Sequence, residues 1–325
     1  MTLLLRERHV TELLNIETAI EAVEEVLRDQ AEGEATNRPR YRVAVPTGQL
    51  HVMAAGDKRL GVYGLKTYTV SRKGARFLVL LYDAATGDML AMIEADRLGQ
   101  MRTGAASGVA TKYMARESAD VVGVYGSGWQ AESQVMAVCA ARQLRQVRVY
   151  SRDAGKREAF VRRMASLVRC EVVAANRPED AAQGCSIIVT ATSAREPVLK
   201  GEWVEPGTHI NAAGSNFLSK AEVDVETVRR AALIAVDSVE QSRLEAGDLL
   251  PAIDRGVISW ESVTELGRIV AGHVKGRTSN DQITLFKSNG IALEDISTAL
   301  RVYQLARARG LGEQISLWSE SQPDK

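Results

Sequence analysis

The sequence predicts an α/β protein in two parts: a doubly wound parallel sheet over residues 117–299, and a discontinuous β-rich part assembled from residues 1–116 and 300–325. Three observations predict it. From about residue 119, β-branched runs alternate with helical ones; the preceding residues instead carry β-rich runs separated by turn residues; and the chain closes on a helical pattern. At 325 residues the chain exceeds the usual single domain, so two cores are expected.

The elements follow in order. In "NIETAIEAVEEVLRDQ", Ile16, Ile20, Val23 and Leu27 recur at helical spacing behind Asn15, a suitable N-cap, so an amphipathic helix opens the β-rich part. "RYRVAVPTGQLHVMAAG", "GVYGLKTYTV" and "ARFLVLLYDAATGDMLAMIEA" read as antiparallel strands, the last a hairpin around Thr86, Gly87 and Asp88. Then come strand "DVVGVYG", a helix from Trp129, strand "QVRVYS", helix "AGKREAFVRRMASLV", strand "EVVAA", short helix "PEDAAQ" and strand "SIIVTATS". "THINAAG" and "AALIAVD" add two strands, and the closing helix "ALEDISTALRVYQLARARG" is expected to pack back on the first part.

Composition excludes several classes of function. Lys plus Arg balances Asp plus Glu at 41 each, which argues against nucleic acid or an anionic membrane as partner. The run in "MTLLLRERHV" is too short for a signal peptide, and no stretch nears the roughly 18 apolar residues of a spanning helix, so a cytoplasmic protein is expected. Cys139, Cys170 and Cys185 form no C-x-x-C, which suits a reducing compartment. Four scattered histidines (His9, His51, His209 and His273), without H-E-x-x-H or G-x-S-x-G, leave no signature of a metal site or a hydrolase.

The informative stretch is "VVGVYGSGWQAESQV". Gly126-Ser127-Gly128-Trp129-Gln130-Ala131 fits G-x-G-x-x-A between a strand and a helix. Gly126 permits the tight turn, Gly128 lets the backbone approach a pyrophosphate, and Ala131 lets helix and strand pack closely. The helix N-terminus, with Trp129 and Gln130 in its first turn, then presents free N–H groups and a positive dipole end. A Rossmann dinucleotide-binding domain is the expectation. The second strand ends "VYSRD", placing Ser151 and Arg152 where an NAD site usually has an acid, so NADP(H) is favoured, although Asp153 keeps NAD(H) open.

The first part carries Arg40, Arg42, Lys66 and Arg102 within "RPRYRV", "GLKTYTV" and "GQMRTGAASG", cations that call for an anionic partner. With "LHVMAA", "VTATSAREPVL", "PGTHINAAGSN" and "LFKSNGIALED", these pieces make nearly the whole chain resemble the ornithine cyclodeaminase/mu-crystallin family, which includes ketimine reductases and amino-acid dehydrogenases. The resemblance implies that Arg40, with Arg42 as fallback, Lys66 and Arg102 hold a substrate carboxylate. It puts Thr103 at the cofactor phosphates, makes Thr192 and Ser215 further cofactor contacts, and implies a homodimer joined through the β-rich, substrate-binding domain.

Two departures from that family bear on the reaction. Where its ammonia-releasing members carry an aspartate after the "NA-x-G" strand, this chain has Asn216, and His51 stands in place of their glutamate. An amide cannot act as a general base. The expected chemistry is therefore hydride transfer between NADP(H) and the α-carbon of a small amino or imino acid, above all reduction of a cyclic ketimine, with Lys66 or His51 keeping the nitrogen protonated. Ornithine cyclodeamination, which releases ammonia, and NADPH-dependent binding of a small ligand without turnover are the alternatives.

Overall fold

The computed structural model describes residues 1–317, so the share of residues 318–325 in the β-rich part lies outside the described residues. The first sheet contains β1 (Thr2–Leu5), β2 (Ala35–Asn37), β3 (Tyr41–Val45), β4 (Gly48–Asp57), β5 (Val62–Ser71), β6 (Gly74–Asp83) and β7 (Met89–Glu94). The second contains β8 (Val121–Tyr125), β9 (Gln146–Tyr150), β10 (Glu171–Ala174), β11 (Ile187–Thr190), β12 (His209–Ala212), β13 (Ala231–Val236), β14 (Val263–Glu265) and β15 (Ile283–Lys287); β16 (Glu313–Ile315) returns to the first. The helices are α1 (Glu7–Leu13), α2 (Ile16–Ala31), α3 (Asp96–Met114), α4 (Trp129–Ala141), α5 (Ala154–Ala165), α6 (Val225–Arg230), α7 (Val239–Glu245), α8 (Leu250–Asp254), α9 (Leu266–Val270) and α10 (Ala292–Arg309).

The first sheet runs β16-β1-β7-β6-β5-β4-β2, with β3 also on β4, and is antiparallel except for β1 beside β7. Side chains alternate across the pleat, so His51, Met53 and Ala55 of β4 are buried on the face that also buries Lys66 and Tyr68 of β5. Helix α10 packs on β4, β5 and β6 and on α2, and it begins at Ala292, inside the segment expected to belong to the parallel-sheet part. Asn15 caps α2 as expected, accepting from the Thr18 N–H at 2.8 Å.

The second sheet is wholly parallel in the order β10-β9-β8-β11-β12-β15-β13-β14. Strands β8, β11, β12 and β15 are buried at every residue, as a sheet covered on both faces requires. The chain travels outward from β8 through β9 and β10, then returns to β11 on the other side of β8. Ligands bind at such a switch point, outside the carboxyl ends of the strands.

Helix α3 joins the two sheets and packs on α4, α2 and α10. Gly104 makes the contact with α4: a Cβ there would lie 2.4 Å from the Ser133 carbonyl oxygen. This close approach sets the Arg102–Thr103 stretch beside the glycine loop. Among the described residues no helix is long and apolar enough to cross a membrane.

Candidate active site

At the carboxyl end of β8, Gly126 adopts φ +115°, its N–H donates to the Tyr150 carbonyl at 2.8 Å, and a Cβ would lie 2.3 Å from the Ala191 carbonyl oxygen. Gly128 is the N-cap of α4, no side chain caps that helix, and a Cβ on Gly128 would meet nothing within 4 Å. The first N–H groups of α4 thus end at open space beside the switch point, which fits a pyrophosphate cradle.

At the end of β9, the Ser127 hydroxyl donates to Ser151 Oγ at 2.9 Å. Arg152 is exposed and makes no hydrogen bond or ion pair among the described residues. Asp153 is engaged: its Oδ1 accepts from the Lys156 N–H at 2.9 Å as the N-cap of α5. One oxygen of the carboxylate that kept NAD(H) open is thereby engaged within the protein.

Beyond β11, the Thr192 N–H and hydroxyl donate to Glu222 Oε1 at 2.6 and 2.7 Å, and the Gly214 N–H reaches Glu222 Oε2 at 2.6 Å. Buried Glu222 thus ties the loops after β11 and β12. Lys287 backs the second loop, donating to the Ser215 carbonyl at 2.5 Å while paired with Asp248 at 2.9 Å.

Between the sheets lies a cavity of about 270 Å³ that brings together Arg40, His51, Lys66, Arg102, Thr103, Gln130, Ser215 and Asn216. Gly126, Gly128, Trp129, Ser151, Arg152 and Thr192 do not line it; Trp129 is half exposed, with Arg97 5.8 Å from its ring. The Thr103 hydroxyl donates to the Gly99 carbonyl at 2.7 Å, while the Gln130 Oε1 is buried without a partner. One wall is an aromatic ladder set by strand register, His51 opposite Tyr68 and Tyr68 opposite Phe77. The rings stack at 4.2 Å and 4.9 Å between centroids.

The expected clamp residues converge, but each is already held by an acid. Lys66 Nζ lies 2.9 Å from Asp295 Oδ1, and that oxygen also takes Arg102 Nε at 2.9 Å, while Arg102 Nη1 reaches Glu294 at 2.8 Å. Arg40 pairs with Glu245 and donates to the Asn289 and Gly290 carbonyls at 3.1 and 3.2 Å. Arg42 reaches Glu245 at 2.5 Å and the Asn216 carbonyl at 3.0 Å. Asp295 takes one of the three Lys66 donors, and Arg102 Nη2 is uncommitted among the described residues.

Burial, then the charges of Arg102 and Arg40, lower Lys66 to about 8 against the pull of Asp295. Burial works against the Arg102 charge, but Asp295 and Glu294 outweigh it and raise its pKa. Burial and then Asp237 push Glu294 up to about 8. Burial, with Arg42 and Arg40 adding to it, brings His51 down to about 4, and both its ring nitrogens are buried without partners. His51 is therefore neutral at pH 7. It can give or accept a hydrogen bond, but the expected part in keeping a substrate nitrogen protonated does not suit it.

Sequence reading missed Tyr68, Phe77, Phe217, Glu245, Glu294 and Asp295. A signal existed for some. Tyr68 lies two residues after Lys66 and so shares its face, and "IALED" places two acids in the first turn of α10. Glu245 carried none, because its arginine partners are 205 and 203 residues away.

The residue pattern of the ornithine cyclodeaminase/mu-crystallin family is matched over residues 1–310. The alanine dehydrogenase of Archaeoglobus fulgidus is 35% identical over 327 residues, 98% of this chain and 99% of its own. The structure of Thermococcus litoralis pyrroline-2-carboxylate reductase, in complex with NADH and L-proline, superposes with a TM-score of 0.92 at 34% identity, covering 97% of this chain and 100% of that one. An archaeal alanine dehydrogenase dimer with bound NAD gives a TM-score of 0.92 at 34% identity, with 98% and 99% covered.

Proposed function

The chain belongs to the ornithine cyclodeaminase/mu-crystallin family, and on that premise we propose that it is a nicotinamide-dependent oxidoreductase that reduces the C=N bond of a small cyclic ketimine carboxylate. The observation that carries this reading is the convergence of Lys66, Arg102 and Arg40 with a stack of aromatic rings in one cavity, beside the uncapped start of α4. When bound, the cofactor supplies hydride to the ketimine carbon. Arg102, through its uncommitted Nη2, holds the carboxylate with Arg40 beside it. The stacked His51, Tyr68 and Phe77 rings line the space that a small ring would occupy. Lys66, at about 8, is mostly charged at neutral pH and keeps a proton on the imine nitrogen. Asn216 orients that nitrogen without exchanging a proton.

A substrate panel tests the reading. NADPH should be oxidised with pyrroline-2-carboxylate or piperideine-2-carboxylate in the absence of ammonia, and ornithine should release little or none. The similarity to alanine dehydrogenases favours a second reading, reductive amination of a small 2-oxo acid. Turnover with pyruvate plus ammonia and none with the cyclic imines would establish that one. Ammonia released from ornithine with no net nicotinamide change would overturn both.

For the cofactor, NADP(H) is favoured over NAD(H) by Arg152, which is free of partners, and by Asp153, one oxygen of which is engaged as a helix cap. Losing a charge-assisted hydrogen bond costs about 1.5 to 3 kcal/mol, roughly 10- to 150-fold in affinity. Arg152→Ala should weaken NADPH by that factor and spare NADH. Equal losses, measured by fluorescence titration, would put Arg152 on the adenine or the shared phosphates.

The same reading assigns residues 1–116 and those after α10 begins to substrate binding and to pairing of two copies. Tyr41, Val43 and Val45, on one face of β3, are 69%, 46% and 59% exposed, an apolar stripe that a second copy would cover. The three cysteines, all free thiols, suit a cytoplasmic setting.

A further inference from the structure

At the end of the parallel sheet opposite the glycine loop lies a surface cavity of about 510 Å³. The segments before β8, β9 and β15 border it, so it faces the amino ends of the strands, whereas the glycine loop stands at the carboxyl ends. Arg116, Arg142 and Arg277 line it, with Ser118 and Asn280 between them.

Two of these arginines have an internal task. Arg142 caps helix ends, donating to the Lys112, Ala115, Arg116 and Ala141 carbonyls at 2.8 to 3.0 Å. Arg277 donates to the Met114 carbonyl at 2.8 Å and to the Gln282 carbonyl at 2.6 Å. Arg116 has none: its guanidinium makes no hydrogen bond or ion pair among the described residues, and its Nε is buried without a partner. A buried donor left unmade is costly, and an unseen ion or water is a regular reason for one.

Charge points to an ion rather than water alone. None of the three arginines forms a salt bridge among the described residues, and the positive Lys112 beside them is paired away to Glu24 at 2.7 Å. Glu117, the carboxylate that lines the cavity, is exposed. Burial and then the charges of Arg116 and Arg142 bring Arg277 down to about 10, a sign that the three cations repel one another, and the exposed Glu117 offsets this only in part, at Arg142.

We propose that Arg116, Arg142 and Arg277 form a binding site for a compact phosphate group, free or as the phosphate of a small ester, separate from the cofactor crevice. Planar guanidinium forks match phosphate oxygens, and Arg116 holds its donors in reserve for that contact. Ser118 and Asn280 supply neutral donors at the rim.

The test is calorimetry of the full-length protein saturated with NADPH, so that the cofactor's own phosphate sites are filled, titrated with inorganic phosphate and with glycerol 3-phosphate. Binding of either is expected. Tighter binding of the ester would name a metabolite as the source, and tighter binding of phosphate the free ion. Arg116→Gln, which breaks no internal contact, should weaken binding roughly tenfold or more, Arg116→Lys should weaken it less, and NADPH affinity should not change. Absence of binding, or affinity indifferent to Arg116→Gln in a variant that melts like the parent, would overturn the assignment.

Discussion

Lys66→Met is expected to lower kcat for ketimine reduction at pH 7 by about 10² to 10⁴, the usual worth of a positioned proton donor, with little change in folding. Methionine keeps the unbranched stem of the side chain to within one atom and removes its charge. The loss does not strand Asp295, because Arg102 Nε stays 2.9 Å from the same oxygen, so the costly case of an unpaired buried acid does not arise. The pH profile separates this role from packing. Since the Lys66 pKa is lowered to about 8, the group is charged below that value and loses its proton above it, and kcat should fall as pH rises through 8. Glu294, also near 8, is tied to Arg102 rather than to Lys66, so Glu294→Gln should leave the limb in place, whereas Lys66→Arg should move it out of the measurable range. A Lys66→Met enzyme with kcat within a few-fold of the parent would remove Lys66 from the chemistry.

What the sequence disclosed follows the range over which each feature is encoded. The glycine loop is local: the β-branched run, Gly126, Gly128 and Ala131 fall within eleven residues, and the strand-turn-helix they announce is the one found. The parallel sheet was legible for the same reason, each βαβ unit carrying its own period. Strands β1 and β16 were not, since four and three residues are too few to show alternation, and they exist only because they pair with β7 and with each other. Strand β15 sits between β12 and β13 in the interior of the sheet, although "LFKSNG" stood out only as a motif. The site divides in the same way. Its cations were visible as charges inside apolar strands. The acids that neutralise them lie on α7 and α10, 192 to 229 residues away, and no spacing rule reaches that far. The neutrality of His51 is likewise a property of its surroundings, set by burial and by Arg42 and Arg40.

Gly128→Val is expected to abolish dinucleotide binding while leaving the protein folded, and the neighbouring glycine shows why the two outcomes separate. At Gly126 the backbone is left-handed, with φ +115°, and a Cβ would lie 2.3 Å from the Ala191 carbonyl oxygen, so any substitution there disturbs β8 and β11 before it touches a ligand. At Gly128 the backbone is extended, φ −92° and ψ −174°, a conformation that valine adopts readily, and a Cβ meets nothing within 4 Å. The fold gives no reason for glycine at 128. Open space in front of uncapped N–H groups gives one: a ligand backbone that must come as close as the missing side chain would reach. Valine fills that volume with two methyl groups and leaves the helix dipole facing hydrocarbon rather than phosphate. The prediction is a melting temperature near that of the parent, and no NADPH or NADH binding by fluorescence titration at concentrations that saturate the parent. Undiminished cofactor affinity in the folded Gly128→Val protein would place the pyrophosphate elsewhere and leave the α4 N-terminus an ordinary turn.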